Sequence, residues 1–234
     1  MLISGTLFDD SVSTARLVKG VTQMIRLMDL IFSGLAILAL SPALLVVIAI
    51  LKVTGEGEIF FSQKRVGVHK KPFRLLKFAT MLKNSESMGS GTVTIKNDPR
   101  VLPFGKFLRK TKINELPQLF NIFLGDMSVI GPRPLHNKQF SFYTTEQQNV
   151  IASVRPGLSG VGSIIFRYEE ALLQGSDDPD ATYRTRISPR KAALETWFVE
   201  NRGLGLYFRL ILLTIIAVVF PSVRMDRFFT GLAD

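Results

Sequence analysis

The feature that most constrains this chain is an apolar run of 22 residues, 30–51, that contains no charged side chain. At about 1.5 Å of rise per residue, a helix of this length crosses a hydrocarbon core of about 30 Å. Ser41-Pro42 lies at its middle, where proline removes a backbone donor and clashes with the preceding turn. The run therefore predicts a membrane helix that bends at Ser41-Pro42.

Basic residues flank this run on both sides, namely Arg16, Lys19 and Arg26 before it and Lys52, Lys64 and Arg65 after it. Because basic flanks stay on the cytoplasmic side of a membrane, both ends are expected on the same face. A re-entrant helix meets this condition, and the Ser41 hydroxyl could bond a carbonyl that Pro42 leaves free. A kinked spanning helix and a buried core helix are the alternatives.

Positive charge is concentrated in one part of the chain. The 234 residues have a formal net charge of +10, and residues 52–112 hold fourteen Lys or Arg against four acidic residues. A chain of this length buries one core, and its basic zone predicts a phosphate-bearing partner: nucleic acid, nucleotide or anionic lipid. We expect no nucleic acid, since the zone adjoins the apolar run and has no recognised nucleic-acid motif.

The residue types present limit the available chemistry. The chain has no cysteine, which excludes disulfides, thiol nucleophiles and thiolate metal sites. Its two histidines, His69 and His136, are far apart and follow no metal-ligand spacing. A catalytic triad or a histidine-rich metal site is therefore not expected.

Three segments after the apolar run have interpretable patterns. Residues 58–66 and 72–80, joined by GVHKK, predict a β-hairpin. Residues 84–98 are rich in Ser and Gly and predict a mobile loop that could act as a lid. In VLPFGKFLRK, residues 101–110, apolar and basic side chains fall on opposite faces of a helix. Such a helix suits either an anionic membrane surface or a solvated position on the core.

Asn114 and Glu115 precede an apolar helical run that Gly125 closes. Asn114 is a typical helix N-cap, and Glu115 suits the positive end of the helix dipole, so a structural role explains the pair. Arg109 lies just upstream, however, and a stiff Pro-Arg-Pro loop carries Arg133 just downstream. Since helix N-termini also bind phosphate, we predict a phosphate site here.

Five motifs follow the apolar segment in order: SQKRVG, KPFRLLKFATM, NDPRVLPFGKFLRKTKINELPQL, GDMSVIGPRP and VRPGLSG. Over about residues 27–162 the chain resembles the bacterial sugar transferases of the monotopic phosphoglycosyl transferase family. The resemblance implies an enzyme on the cytoplasmic face of the bacterial inner membrane. Such an enzyme moves a phosphosugar from a nucleoside diphosphate sugar, usually a UDP-sugar, to undecaprenyl phosphate and releases UMP. This reaction initiates surface glycan assembly.

The resemblance also implies roles for particular residues. In the family an adjacent Asp-Glu pair acts with Mg²⁺: the Asp attacks the β-phosphate, and the Glu helps to hold the metal. Asn114 and Glu115 stand at these positions, so Glu115 is predicted to bind Mg²⁺. The predicted substrate-binding residues are Arg109, Arg133, Arg100 and Lys77. Among these, the resemblance gives Arg109 a phosphate contact and Arg133 a nucleotide contact.

Two positions depart from the family pattern. Asn114 replaces the nucleophilic Asp, and a neutral carboxamide is too poor a nucleophile to attack phosphorus. Ala79 stands where the family commonly has Arg. The loss of one negative and one positive charge would be a matched change if the two positions are neighbours in the fold.

Three hypotheses account for Asn114. The chain could belong to a subgroup that uses direct transfer or another carboxylate; the candidates are Glu115, Asp126, Glu169 and Glu170. It could instead be an inactivated variant, or a pseudoenzyme that still binds lipid and nucleotide sugar as a membrane scaffold. The pair Glu169-Glu170 follows the strand-like run GVGSIIF and could equally be a solvated acidic turn.

The C-terminal third contains two predicted helices and a loop. Ser188-Pro189 predicts a cap followed by proline at the first position of an amphipathic helix over residues 187–203. The apolar run 210–220 has 11 residues, too few to span a membrane, and predicts an interfacial or packed segment. Residues 175–186 predict an exposed loop.

Together these elements predict an α+β, membrane-associated protein: a re-entrant helix plus a small mixed soluble domain with interfacial amphipathic helices. The predicted divisions are an N-terminal segment (1–26), the re-entrant helix (27–53), a cytoplasmic catalytic-type domain (54–203) and an apolar membrane-interface segment (204–234). The short N-terminal region predicts a small family member with a single anchor. The expected partners are a nucleoside diphosphate sugar, polyprenyl phosphate and inner-membrane lipid, and a homodimer is considered.

Overall fold

A computed structural model describes residues 6–88, 98–167, 169 and 178–229. The α-helices in these ranges are α1 Thr6–Val53, α2 Pro103–Lys110, α3 Gln118–Leu124, α4 Asn137–Phe140, α5 Thr145–Ile151, α6 Val161–Ile165, α7 Pro179–Thr182, α8 Ser188–Glu200 and α9 Leu204–Val219. The strands are β1 Phe60–Val66, β2 Pro72–Phe78, β3 Ser128–Ile130 and β4 Gly157–Ser159. One long apolar helix is thus combined with small sheets and short helices, in agreement with a mixed α and β architecture.

The predicted apolar run lies within α1, whose part Val18–Val53 is long and apolar enough to cross a membrane. The helix continues through Pro42. Pro42 has no N–H to bond the carbonyl of Leu38, and the Ser41 hydroxyl donates to that oxygen instead, at 2.8 Å. The carbonyl bond expected of Ser41 is therefore confirmed, whereas the re-entrant path of α1 stays a prediction.

The predicted hairpin is confirmed. Strands β1 and β2 pair antiparallel, with a register that runs from Phe60 opposite Phe78 to Val66 opposite Pro72. The connection between them contains a 3₁₀ turn, Val68–Lys70. Phe78 is buried at one end of β2, next to Lys77. The hairpin thus places the basic residue Lys77 directly before the buried core residue Phe78.

A second sheet pairs β3 with β4 in parallel, and it was not predicted from the sequence. It depends on a close approach of two glycines, because a Cβ atom on Gly157 would lie only 2.1 Å from the backbone nitrogen of Gly131. The backbone nitrogen of Gly157 donates to the carbonyl of Pro132 at 2.8 Å. Two of the five sequence motifs, GPRP and RPGLSG, are therefore joined in space by their glycines.

The main core packs α1, β3, α6, α8 and α9 around buried apolar side chains such as Ile25, Leu194 and Leu210. A buried carboxylate, Asp29 of α1, connects three of these elements. Its Oδ1 accepts hydrogen bonds of 2.9 Å from the Ser128 hydroxyl, the Val129 backbone N–H and the Tyr207 hydroxyl. Helix α1 is thus tied to both β3 and α9.

The second apolar run belongs to α9, which begins earlier than predicted, at Leu204, and has 16 residues. One face, which includes Tyr207 and Leu213, is buried in the main core, and the other exposes Phe208 and Leu212. Packing of this segment on the rest of the protein is therefore confirmed.

Two predictions in the C-terminal third are wrong. The run GVGSIIF forms the helix α6 instead of a strand, because Val161, Ile164 and Ile165 recur at helical spacing and turn towards the core. Residues 179–186 of the predicted exposed loop are helical, although residues 178, 181 and 184–186 are exposed as expected. The π-helical turn Tyr183–Ile187 buries both of its end residues. The rest of that loop, residues 175–177, lies outside the described residues.

The proposed cap at Ser188 is also wrong. The preceding residue, Ile187, already has helical backbone angles, so the chain enters α8 directly from the π-helical turn. Position 188 is therefore the first residue of the helix, with Pro189 close behind as expected. The predicted loop 84–98 begins with a 3₁₀ turn, Ser85–Ser87, and residues 89–97 lie outside the described residues.

Candidate functional site

Asn114 and Glu115 lie in a 3₁₀ turn, Ile113–Glu115, rather than at a helix N-cap. The following helix, α3, starts at Gln118 after Pro117, and Gly125 ends it in a left-handed conformation as predicted. Proline has no backbone donor, so Pro117 separates the tight turn from the helix. The N-cap prediction for Asn114 is therefore wrong, and the pair forms a turn of its own before α3.

The Glu115 carboxylate lies between basic side chains from two other parts of the fold. Its Oε1 is 3.6 Å from Lys77 Nζ in β2 and 3.7 Å from Arg133 Nη2 in the Pro-Arg-Pro loop. The side chains of Lys77 and Glu115 are only 20% and 17% exposed. The fold thus brings together three predicted site residues that are distant in sequence.

The electrostatic balance of the site is visible in two pKa values. Burial would raise the pKa of Glu115, but the charges of Arg133, Lys77 and Lys112 outweigh burial and lower this pKa to about 2. Burial lowers the pKa of Lys77 to about 8, despite the opposing effect of Glu115. The carboxylate is therefore ionised at any physiological pH, whereas Lys77 can change its charge just above neutrality.

Lys77 is placed beside Glu115 by an asparagine in α3. The side chain of Asn121 is buried, accepts a hydrogen bond from the Leu76 backbone N–H at 2.9 Å and donates to the Arg74 carbonyl at 2.8 Å. A single side-chain amide thus satisfies two backbone groups of β2. These bonds fix the strand that carries Lys77 against the helix that follows Glu115.

Arg133 is held by a buried glutamate of α8. The backbone N–H of Arg133 donates to Glu195 Oε1 at 3.1 Å. Gly162 leaves room for this carboxylate, because a Cβ atom there would lie 2.4 Å from the same oxygen. Burial raises the pKa of Glu195 to about 7, although the Arg133 N–H and Lys191 oppose the rise. The guanidinium of Arg133 remains partly exposed, so it can meet a ligand.

The other two predicted basic residues differ in their surroundings. Arg109 is half-buried, contacts Met81 Sδ at 3.7 Å and adds to the positive potential that lowers the pKa of Lys77. Arg100 is buried and forms a bidentate pair with Asp98 at 2.9 and 2.6 Å. Its guanidinium also donates to the carbonyls of Ser85 and Met88. These contacts give Arg100 a structural role, since they join Asp98 to the turn at Ser85–Ser87, and its contact with substrate stays a prediction.

Asn114 is buried, and its Oδ1 has no hydrogen-bond partner among the described residues. A buried oxygen without a donor is costly, and this oxygen is available to a ligand, a water molecule or an ion. Mg²⁺ is usually bound by one or two protein oxygens together with water and substrate phosphates. Glu115 and the Asn114 carbonyl oxygen fit such a donor set. No group of three or more His, Asp or Glu residues that could hold a metal occurs in the described ranges.

The structure separates the alternative carboxylates from one another. Asp126 follows the C-terminal end of α3, whereas Glu115 precedes its N-terminal end, and Asp126 accepts a hydrogen bond from Asn121 at 3.2 Å. Glu169 is paired with buried Lys191 at 2.5 Å. Glu170 lies outside the described residues. Glu115 is therefore the carboxylate that the fold surrounds with the predicted basic residues.

Two residues near the site were missed from the sequence. Arg65 of β1 donates to the Pro134 carbonyl at 3.3 Å, and its charge acts on Lys77. Its position in the SQKRVG motif was a usable signal. Glu195 gave no signal, because an acidic residue on an amphipathic helix normally faces water. Ala79 is buried directly after β2. That the loss of the family's Arg at position 79 and of its Asp at position 114 is a matched change stays a prediction.

Comparison with known proteins finds similarity to bacterial sugar transferases and to exopolysaccharide production proteins. A family model described as bacterial sugar transferase matches residues 21–221. The exopolysaccharide production protein ExoY of Sinorhizobium fredii is 33% identical over 216 residues, which are 86% of this chain and 86% of that protein. The uncharacterized sugar transferase EpsL of Bacillus subtilis is 33% identical over 217 residues, 89% of this chain and 96% of the relative.

A third relative carries a more specific name. The UDP-glucose:undecaprenyl-phosphate glucose-1-phosphate transferase of Klebsiella pneumoniae is 40% identical over 144 residues, which cover 59% of this chain and 30% of that protein. The likeness to this larger protein is therefore confined to part of its length.

Proposed function

The chain belongs to the bacterial sugar transferase family. We propose that it transfers a sugar 1-phosphate from a nucleoside diphosphate sugar, specifically a UDP-sugar, to undecaprenyl phosphate. The bond between the α- and β-phosphates breaks, and a bond forms between the β-phosphorus and an oxygen of the acceptor phosphate. UMP is the leaving group. The product would initiate the assembly of a surface polysaccharide.

The observation that carries this proposal is the set of basic groups around Glu115. Lys77 and Arg133 lie within 4 Å of its carboxylate, and Lys112 acts on it electrostatically. One carboxylate does not neutralise three cations, so the site retains positive charge for an anion. A diphosphate is the anion that family members carry in their donor substrates, and it matches this excess of charge.

The side chains have distinct parts in the proposed reaction. Arg133, on its rigid loop, would bind the donor diphosphate, while Lys77 and Arg109 would stabilise charge that develops on the bridging oxygen. Glu115 and the Asn114 carbonyl oxygen would hold Mg²⁺. When bound, the metal would supply positive charge that offsets the diphosphate. The remaining basic residues of the site would guide the acceptor phosphate towards the β-phosphorus.

Asn114 supports a second candidate function. The residue is neutral and buried at the position where the family has its nucleophilic Asp, and a carboxamide cannot attack phosphorus. The chain would then bind nucleotide sugar and lipid without turnover and act as a membrane scaffold for glycan assembly. Both functions use the same basic site on the cytoplasmic face of the inner membrane, and turnover distinguishes them.

The test measures transfer and binding separately. Purified protein in detergent is incubated with radiolabelled UDP-sugars, polyprenyl phosphate and Mg²⁺, and compared with Asn114→Asp and Glu115→Ala. Product from the unchanged chain that disappears in Glu115→Ala supports transfer without an Asp nucleophile. Product only from Asn114→Asp supports the scaffold. Failure of the protein to bind any UDP-sugar, with or without Mg²⁺, contradicts both.

A further inference from the structure

Arginines from distant parts of the chain meet beside α1, just before its apolar run begins. The Arg26 guanidinium donates to the carbonyls of Ile122 and Phe123 at 2.6 and 2.9 Å, at the C-terminal end of α3. Arg155 Nε donates to the Gly125 carbonyl at 2.8 Å. A Cβ atom on Gly125 would lie 3.3 Å from Arg26 Nη2. Two guanidiniums therefore meet at the turn that ends α3.

A third arginine reaches the same face of α1. Arg202 Nη1 donates to the Thr22 hydroxyl at 3.3 Å. Thr22 and the exposed Lys19 stand four and seven residues before Arg26, so all three lie on one face of the helix. Burial lowers the pKa of Arg202, and the positive charge of Arg155 adds to the decrease. Lys19, Arg26, Arg155 and Arg202 thus form one basic cluster.

The carboxylates near the basic cluster do not pair with it. Asp29 opposes the decrease in the pKa of Arg202, but its Oδ1 accepts hydrogen bonds from three neutral donors in β3 and α9. Asp126 accepts a hydrogen bond from Asn121. Among the described residues, no ion pair joins either carboxylate to the four cations. Four cations against two carboxylates leave two positive charges in this group.

Exposed apolar side chains border the basic cluster. Leu124, the last residue of α3, is 73% exposed, and Phe123, whose carbonyl binds Arg26, is about half exposed. Leu27 follows Arg26 in α1 and is also about half exposed. Arg26 stands four residues before the apolar run 30–51, a position at which a membrane helix meets lipid headgroups. The cations therefore lie at headgroup depth, and the apolar side chains lie where acyl chains begin.

We propose that the basic cluster binds the phosphate of an anionic phospholipid, such as phosphatidylglycerol, from the surrounding membrane. A guanidinium carries five N–H donors, and Arg155 and Arg202 each use one nitrogen within the described structure, so donors remain for phosphate oxygens. The excess of positive charge favours an anionic headgroup over phosphatidylcholine, whose choline brings a positive charge of its own. This inference is independent of the proposed reaction, because the cluster contains no residue of the site around Glu115.

The test measures which lipid lies beside the basic cluster. The chain has no cysteine, so Leu124→Cys can carry a single bimane label, and Leu38→Cys is the matched control. Leu38 is 72% exposed but stands twelve residues beyond Arg26, about 18 Å along α1. The labelled full chain is placed in vesicles of phosphatidylcholine and phosphatidylglycerol in which one of the two lipids is brominated. Quenching of bimane by each brominated lipid gives their relative affinity.

We expect phosphatidylglycerol to be favoured by about threefold to tenfold at position 124 and by less than about twofold at position 38. In the chain labelled at position 124, Arg155→Gln with Arg202→Gln should reduce the preference to below about twofold. Lys71→Gln with Arg190→Gln removes two positive charges from exposed positions elsewhere and should leave the preference unchanged. Excess inorganic phosphate should not reduce it either, because free phosphate has no acyl chains that contact the apolar border.

Three outcomes would overturn the inference: equal preferences at positions 124 and 38, equal losses in the two double variants, or loss of the preference when inorganic phosphate is added. The last outcome would identify a site for a free anion and not for a lipid. If Arg155→Gln with Arg202→Gln does not fold, Arg202→Gln alone replaces it. The preference should then fall to about half, and an unchanged preference would overturn the inference in the same way.

Discussion

At the scale of single residues, the site depends on the balance between one carboxylate and several cations. Glu115 stays ionised because Arg133, Lys77 and Lys112 lower its pKa to about 2, against the effect of burial. The stabilisation that these charges give to the folded protein is lost only in acid, as pH falls from about 4.5 to about 2. Near neutral pH the charge of the site therefore varies through its bases and not through Glu115.

The first prediction concerns Lys77, whose pKa of about 8 lies close to neutrality. Above pH 8 its ammonium loses the proton and attracts a diphosphate less. We expect the affinity for a UDP-sugar to fall by roughly threefold to tenfold between pH 7 and pH 9. In Lys77→Arg the affinity for the UDP-sugar should change little between pH 7 and pH 9, since arginine stays protonated. Calorimetric titration at both pH values checks this, and parallel pH profiles for the two proteins would contradict it.

The same pKa predicts the opposite trend for stability. The pKa of Lys77 is lowered from an ordinary value of 10.5 to about 8, so the folded protein releases this proton at a lower pH than the unfolded chain does. The contribution of Lys77 to the free energy of unfolding therefore rises between about pH 8 and pH 10.5. Binding and stability should thus move in opposite directions in alkaline solution.

The second prediction concerns Glu195, whose pKa is raised from 4.5 to about 7 by burial. The folded protein holds this proton more tightly than the unfolded chain, so the contribution of Glu195 to stability decreases as pH rises from about 4.5 to 7. Glu195→Gln keeps an acceptor for the Arg133 N–H and removes the titration. Its free energy of unfolding should therefore vary less between pH 5 and pH 7.5 than that of the unchanged protein.

Glu195→Ala is the informative comparison for Glu195→Gln. Without the carboxylate the part-buried N–H of Arg133 loses its acceptor, at a cost of about 1–3 kcal/mol. UDP-sugar binding should weaken in Glu195→Ala more than in Glu195→Gln, because only the former releases the loop that carries Arg133. Denaturant unfolding and calorimetry measure the two effects. Equal UDP-sugar affinities in the two variants would show that Glu195 does not position Arg133.

At the scale of elements, the site is assembled by contacts that connect strands and helices rather than by any single motif. Asn121 links α3 to β2, and the glycines of the two proline-containing motifs link β3 to β4. Local patterns were enough to predict the hairpin, α2 and α8. They could not predict the β3–β4 pair, because its glycines contact each other only after the intervening chain has folded.

The third prediction tests this linkage through Asn121. Asn121→Leu keeps a similar volume but leaves the Leu76 N–H and the Arg74 carbonyl without their side-chain partner. We expect a loss of about 1–3 kcal/mol in the free energy of unfolding, together with weaker UDP-sugar binding as Lys77 shifts. The control is Asn149→Leu on the exposed face of α5, for which a change within about 0.5 kcal/mol is expected. Similar losses in both variants would remove Asn121 from this role.

At the scale of the whole molecule, α1 is the element that is expected to enter the membrane. Composition and length predict a membrane helix, and basic flanks predict that both of its ends lie on the cytoplasmic side. The structure confirms the bond from Ser41 to the Leu38 carbonyl. The sequence could not predict that α3 and α9 would pack against this helix, because the bonds of Arg26 and Asp29 reach residues about a hundred or more positions away.

The fourth prediction uses the absence of cysteine from the chain. Single cysteines can be introduced at Gly20, where a side chain would meet no atom within 4 Å, and at Val53, which is 83% exposed. In inverted inner-membrane vesicles, a membrane-impermeant thiol reagent should label both positions if α1 is re-entrant. Labelling of only one position would show that α1 spans the membrane. Detergent-solubilised protein, in which both should react, is the control.

The carboxylate of Asp29 has a consequence for how the chain matures on the ribosome. One of its hydrogen-bond donors, the hydroxyl of Tyr207, is made 178 residues later. At about 5–20 residues per second, translation of that interval takes roughly ten to thirty-five seconds. During this time the newly made α1 holds an acidic group whose last donor does not yet exist. Nascent chains arrested before Tyr207 should therefore be more readily digested by protease than chains arrested well beyond it.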